Sequence, residues 1–412
     1  TYFRFQDPGF EYVDWNSGNH SGLFVLLFQD VAKLANYHGF AARGPEFIRD
    51  LPRLRAEWRK RLEEQIAAAD GKTLLFSAEA ISGPEFSQAN HRLAAFFRDR
   101  CDRSDVIGYA RPPAGFMASA FQQYLKGGEI GKKPFPHYRA RFEKIDAAFG
   151  RDNVTIRAFS RDRLIGGDVV RDFAETAGIA MPPEDRIVRS NESLSLEATA
   201  LLYVQRKLGA GFVKGFEGAH QANNKFIASL AAIGTGKLAF SDAMMAPMLE
   251  DIAEDIAWME ARIGHPFSEV SASSPDAISS LDDLVDIALQ NYDKVLDFLG
   301  ENAAKEAGAA TLENLVNALD ALRERSYQDV VEKRKLNMAK EAKQPTEEEL
   351  ALRRRLANIL WHLDMGEALP ATQDQRAEEF KTVRSDYMKK ALKLVRQLEN
   401  NKLSLVEAVE NA

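Results

Sequence analysis

The chain has 412 residues, 45% of them hydrophobic and 28% charged, which fits an ordinary globular protein with one large domain and an appendage, so two domains are expected. A formal net charge of -7 argues against nucleic acid as the main ligand, because a phosphate backbone demands a basic surface. Cys101 is the sole cysteine, which excludes an intramolecular disulfide and a thiolate metal cluster and points to a reducing compartment. No apolar run reaches the roughly eighteen residues of a membrane span. No signal-peptide pattern stands at the start, so a cytoplasmic protein is expected. The first residue is Thr1 rather than methionine, and a segment ahead of it is also expected.

In chain order, Arg53 to Ala69 is charged on one face and apolar on the other through Leu54, Trp58, Leu62 and Ile66, the pattern of an amphipathic helix. Thr73 to Ser77 reads as a short strand, Phe86 to Arg100 as a second helix, Asp105 to Ala110 as a second strand and Asn153 to Phe159 as a third. Strands alternating with helices predict an α/β core, a mostly parallel sheet flanked by helices. Leu164 to Gly178 ends in a helix-stopping glycine, Leu194 to Leu208 follows a cap at Ser193, and Met248 to Ile263 is a further helix. Ser271-Ala-Ser-Ser-Pro275 is the expected boundary, giving domains 1–270 and 276–412. Beyond it, Leu281 to Leu299, Leu312 to Lys340, Thr346 to Leu363 and Thr372 to Asn400 read as charged helices of an all-α extension. Leu352, Leu356, Ile359, Leu360 and Leu363 form one stripe there, which makes the extension a candidate surface for homo-oligomer formation.

The most telling stretch is Asp105 to Ser119. A buried strand delivers Arg111 to its carboxyl end, Pro112 and Pro113 suit the start of a helix running to about Lys126, and Ser119 stands two turns inside that helix. Ligands of open α/β sheets bind outside the carboxyl ends of the strands, so a guanidinium there and a hydroxyl on the next helix suit one phosphate.

With Asn19-His20-Ser21, Leu74 to Glu79, Tyr109 to Lys126, Phe149 to Val154, Leu164 to Asp168 and Arg189 to Ser195 in that order, residues 10 to 270 resemble a bacterial branch of the sulfotransferase superfamily. The resemblance implies a P-loop-like fold, 3′-phosphoadenosine 5′-phosphosulfate as donor, no metal, and a hydroxyl acceptor such as a carbohydrate. It gives Arg111 and Ser119 a grip on the 3′-phosphate, and Arg189, Asn191 and Ser193 a place in a loop over the cofactor. Gln123 and Lys126 would face the acceptor. Glu79, just past a strand end, is the first candidate for the general base, its pKa lifted by partial burial, and His20 is its rival.

One part of the family pattern is absent. No glycine-rich, lysine-containing loop follows a first strand to cradle the 5′-phosphosulfate. Gly71-Lys72-Thr73 precedes a strand, and Gly234 to Lys237 lacks its first glycine, Ala231 standing there. Either Thr1 begins downstream of that loop or the protein has lost it. Two other readings stay open: another P-loop-like transferase such as a small-molecule kinase, and a non-catalytic binding or assembly protein with a degenerate nucleotide site.

Overall fold

Short apolar runs linked by helices favour parallel pairing, since a helical crossover can return the chain to the same end of the sheet. The computed structural model describes residues 9–400, apart from 16–17, 36, 42, 44, 70, 188–192, 215–217, 268–276, 307 and 342–346. Its described strands form two separate parallel pairs. β1 (Phe10–Tyr12) lies beside β2 (Thr73–Leu75), Phe10 opposite Thr73. β3 (Val106–Ala110) lies beside β4 (Val154–Ala158), Ala110 opposite Ala158. The fold is therefore mixed α/β and mostly helical. In place of one broad parallel sheet there are two small ones, because β2 and β3, although consecutive, are not paired with each other.

Each pair has its own core. Between β1 and β2 run α1 (Ser21–Phe28), the single turns α2 (Val31–Leu34) and α3 (His38–Ala41), and the long α4 (Pro45–Ala68). Leu23, Phe24, Val25, Leu26, Leu27 and Phe28 of α1 are all buried, as befits a helix that is apolar on every side. The amphipathic α4 covers it with Leu51 and Leu62, and α5 (Ser87–Arg98), leading from β2 to β3, adds Leu93, Phe96 and Phe97. Trp15 belongs to this cluster and meets Trp58 edge-on.

From β3 the chain enters α6 (Pro113–Lys126), whose bounds coincide with the proline start and lysine end expected from sequence. Its return to β4 is α7 (Tyr138–Phe149), which packs Tyr138, Phe142 and Ile145 against Ala110, Val154 and Ile156. A Cβ on Gly108 would stand 2.9 Å from the Phe142 ring, so glycine is what lets α7 lie this close to β3. Beyond β4, α8 (Val169–Ala177) is capped by the Asp168 carboxylate, which accepts from the amides of Val170 and Arg171, and it stops at the left-handed Gly178.

A third core forms around α9 (Leu196–Leu208), buried along nearly its whole length. The helix begins two residues later than expected and its cap is Ser195, which accepts from the Ala198 amide at 2.9 Å, not Ser193. After α10 (Ala219–Ala231), the expected single helix to Ile263 is two, α11 (Asp242–Asp251) and α12 (Ala253–Ile263), separated at Ile252. Likewise α13 (Leu281–Gln290) and α14 (Tyr292–Leu299) part at Asn291 and are followed by α15 (Glu301–Glu306) and α16 (Leu312–Glu341).

The expected boundary at 271–275 lies outside the described residues, and the compact units instead divide between Val330 and Val331. The reason is apolar burial, for Leu284, Ala288, Val295, Leu315 and Leu319 share one cluster with Leu201 and Val204 of α9. In the second unit α17 (Glu347–Met365) and α18 (Gln373–Asn400) pack on each other. Trp361 meets Phe380 with ring centroids 5.3 Å apart, while Ile359 and Leu363 stay exposed. No helix among the described residues is long and apolar enough to cross a membrane.

Candidate functional site

The carboxyl ends of β2 and β3 are followed by Glu79 and Arg111, two of the residues singled out from sequence, and one side chain touches the segments after both strands. Arg111 follows the last residue of β3 and is half-buried. Its guanidinium lies 5.2 Å from the centre of the Phe159 ring, and its carbonyl accepts from the Tyr138 hydroxyl at 2.6 Å. Among the described residues its guanidinium has no ion pair or hydrogen bond. Arg141, on the first turn of α7, donates to the Pro136 carbonyl at 2.7 Å and to the Ser82 hydroxyl at 3.4 Å. It also stands 5.6 Å from the centre of Phe116, in the first turn of α6. Ser82 belongs to the turn after β2 and Phe116 to the helix after β3, so Arg141 draws the two strand ends to one rim. In the charged run of α7 this arginine reads as an ordinary solvated residue, and no sequence pattern marks it.

Glu79 opens the single 3₁₀ turn Glu79–Ser82 that follows β2. It is exposed, so the partial burial expected of it is not there. Its carboxylate, with that of Glu85, nonetheless acts on Tyr37, whose hydroxyl is pushed up by burial first and by these two charges next.

His20 is fully buried, and both ring nitrogens are engaged with backbone. Nδ1 accepts from the Ser77 amide at 3.0 Å, which leaves the proton on Nε2 to meet the Val13 carbonyl at 2.8 Å. Burial lowers its pKa. With its lone pair occupied, His20 ties the ends of β1 and β2 to α1 and has no free nitrogen to take an acceptor's proton.

Ser119 is half-buried on α6, and among the described residues its hydroxyl has no hydrogen bond. Gln123 is exposed, and Lys126 is the last residue of α6, its carbonyl accepting from Asn223 at 2.9 Å. Arg189 and Asn191 lie outside the described residues, and Ser193 is exposed. The buried neighbour Gln122 is the residue that fastens this part of the chain to α6. Its amide donates to the Leu194 carbonyl and to Thr199 Oγ1, both at 3.0 Å, and accepts from the Leu194 amide at 3.2 Å. A buried amide with three partners is a strong positional constraint. Two turns further along α9 from Thr199, Arg206 is buried and donates to the Leu125 carbonyl at 3.0 Å, and burial brings its pKa down to about 10.

Past the end of β4, an open cleft of about 480 Å³ is lined by Arg161, Gly166, Gly167, Asp168, Arg171 and Glu184 among others. Gly166, Gly167 and Asp168 belong to the Leu164 to Asp168 segment of the sequence resemblance, while none of the candidate site residues among the described ones lines the cleft. Among the described residues no group of three or more His, Cys, Asp or Glu side chains is placed to hold a metal ion. No known protein family, curated protein or solved structure matches the chain.

Proposed function

We propose that this chain is a sulfotransferase-like protein that moves a sulfuryl group from 3′-phosphoadenosine 5′-phosphosulfate to a hydroxyl acceptor, a carbohydrate being the kind the sequence resemblance suggests. The observation that carries the reading is Arg111. A half-buried guanidinium at the carboxyl end of a parallel strand, resting on an aromatic ring and free of any carboxylate among the described residues, is equipped to take a phosphate. Ser119 adds a hydroxyl without a described partner on the helix that follows.

In this reading the acceptor oxygen attacks sulfur while the bond from sulfur to the phosphate oxygen breaks, and adenosine 3′,5′-bisphosphate leaves. The acceptor's proton passes to the exposed Glu79 carboxylate, which stands past the end of β2. The work asked of the chain is positioning and charge stabilisation. Calorimetric titration of adenosine 3′,5′-bisphosphate into the 412-residue chain tests it. Saturable binding weakened about tenfold or more by Arg111→Ala is expected for loss of one charge-assisted phosphate contact, and equal affinity in wild type and variant overturns it.

A further inference from the structure

We propose that Arg141 forms a second anion-binding arm of this rim and takes an oxyanion, sulfate or phosphate in chemistry, between the turn after β2 and the start of α6. The inference rests on the reading above only for the identity of the molecule that brings the anion.

Three observations carry it. First, the guanidinium is fixed. The Pro136 carbonyl holds Nε, the Ser82 hydroxyl touches Nη1, and the centre of the Phe116 ring lies 5.6 Å from Cζ. A guanidinium held in this way loses little further freedom on binding. Second, its charge is not spent. Four arginines that join elements here end on carboxylates, Arg157 on Asp172, Arg262 on Asp146, Arg92 on Asp30 and Arg100 on Glu63, whereas Arg55 and Arg206 end on the Leu27 and Leu125 carbonyls. Arg141 ends on a carbonyl and a hydroxyl, which neutralise nothing, and among the described residues it has no ion pair. Of its five N–H groups these two bonds use two, leaving both on Nη2 and one on Nη1 as donors for an oxyanion.

Third, positive charge accumulates at this face. Lys144, one turn further along α7, is half-buried and donates to the Gly83 carbonyl, and it too has no ion pair among the described residues. Burial first, and Arg141 as a neighbouring cation, bring the Lys144 amine down to about 8 against the opposing pull of Glu85. Two adjacent cations with no carboxylate in contact make a standing demand for an anion. The place is one where the topology collects ligands, the carboxyl ends of parallel strands.

Inorganic sulfate is the probe. The melting temperature of the full chain is followed against sulfate at constant ionic strength, chloride replacing sulfate, so that general screening cancels. A saturable rise is expected in wild type, with the half-saturating concentration raised about tenfold in Arg141→Ala. Arg141→Gln keeps amide donors toward Pro136 and Ser82 while dropping the charge, and the same loss is expected. Should the alanine variant fail to fold, the glutamine variant decides. Ser82→Ala removes one tie but keeps the cation, and its half-saturating concentration is expected to stay within about twofold of wild type.

Wild-type behaviour in Arg141→Gln, or a loss in Ser82→Ala equal to that in Arg141→Gln, overturns the proposal, since either makes Arg141 a structural tie alone. A parallel titration with adenosine 3′,5′-bisphosphate separates the sources. Dependence of both ligands on Arg141 assigns the anion to the nucleotide. Dependence of sulfate alone assigns it to the transferred group or the acceptor. Sulfate dependence in a chain that binds no nucleotide leaves this site standing while the function proposed above falls.

Discussion

Arg157 on β4 closes its guanidinium on the Asp172 carboxylate on α8, with Nη2 2.6 Å from Oδ2. The Asp172 side chain is wholly buried, and it also accepts from the Tyr109 hydroxyl at 2.7 Å and the Ile165 amide at 2.9 Å. β3, β4 and the turn at Ile165 thus share one carboxylate of α8. Such a group is stabilising only while all its partners remain, because a buried charge left alone is costly.

Asp172→Asn is accordingly expected to cost about 3 kcal/mol, read as a drop in Tm or in the denaturant midpoint, since it leaves Arg157 without its counter-charge. Burial by itself would raise the Asp172 carboxyl, but Arg157 first, then the Ile165 amide and the Tyr109 hydroxyl, outweigh it and hold it below the usual range. A carboxyl depressed in the folded state contributes stability that is full above its unfolded pKa of about 3.9 and is lost as pH falls through the folded value. Below about pH 4 the gap between wild type and Asp172→Asn should therefore narrow, and a gap that stays constant down to pH 2 would contradict this account.

His20 titrates with the same sign in a higher pH window. Burial lowers its folded pKa, so the unfolded chain binds a proton that the folded chain refuses. Its contribution is complete above the unfolded value of about 6.5 and declines as pH falls from there toward the folded pKa. His20→Ala strands the Ser77 amide and the Val13 carbonyl and is expected to cost about 2–4 kcal/mol. If sulfuryl transfer is measured, its pH profile should be unchanged in any folded His20 variant, whereas loss of an ionisation near neutral pH would return this histidine to the catalytic role.

The sequence carried the parts of the fold that local chemistry decides. The span Pro113–Lys126 was legible because proline starts a helix, Val106–Ala110 because it is a mostly apolar run, and Val154–Ala158 because its buried residues alternate. β1 was not legible, since Phe10–Tyr12 is three residues long and owes its extended form to β2. The breaks at Ile252 and Asn291 have no proline or glycine to announce them, and Pro247 sits tolerated inside α11. Ser193 and Ser195 are equally able caps by residue type. What selects Ser195 is tertiary, its hydroxyl donating to the Ile233 carbonyl at 2.5 Å.

At the rim the same division holds. Arg111 was visible as a residue placed at a strand end, while Arg141 depends on α7 crossing two strand ends at once. The domain limit at Val330 depends likewise on which face α13 finds, and its apolar stripe fits α9 as well as it would fit a neighbour in a separate bundle.

Gln122 predicts a local rather than a global defect. Gln122→Leu removes three hydrogen bonds and leaves the Leu194 amide and carbonyl buried without partners, an expected cost of about 2 kcal/mol. Exchange of the Leu194 amide should quicken by about tenfold or more, with amides of β4 unaffected. Uniform acceleration through both would show that Gln122 supports the whole core rather than this junction.

Lys144 supplies the remaining prediction, independent of any ligand. Its amine is drawn down to about 8, by burial above all, while an unperturbed lysine titrates near 10.4. A lysine depressed in the folded state is a penalty at neutral pH, because the folded chain binds its proton less tightly than the unfolded chain does. Stability should consequently rise as pH climbs from about 8 toward 10.4, by a fraction of the full linkage because the amine is only half-buried. Lys144→Met, which keeps the stem and drops the charge, should flatten that rise. Carbon-detected titration of the lysine side chains should show one resonance with its midpoint near 8 that vanishes in Lys144→Met. A Lys144 signal still fully protonated at pH 9.5 would mean that Glu85, not burial, governs this face, and the excess of positive charge inferred there would be gone.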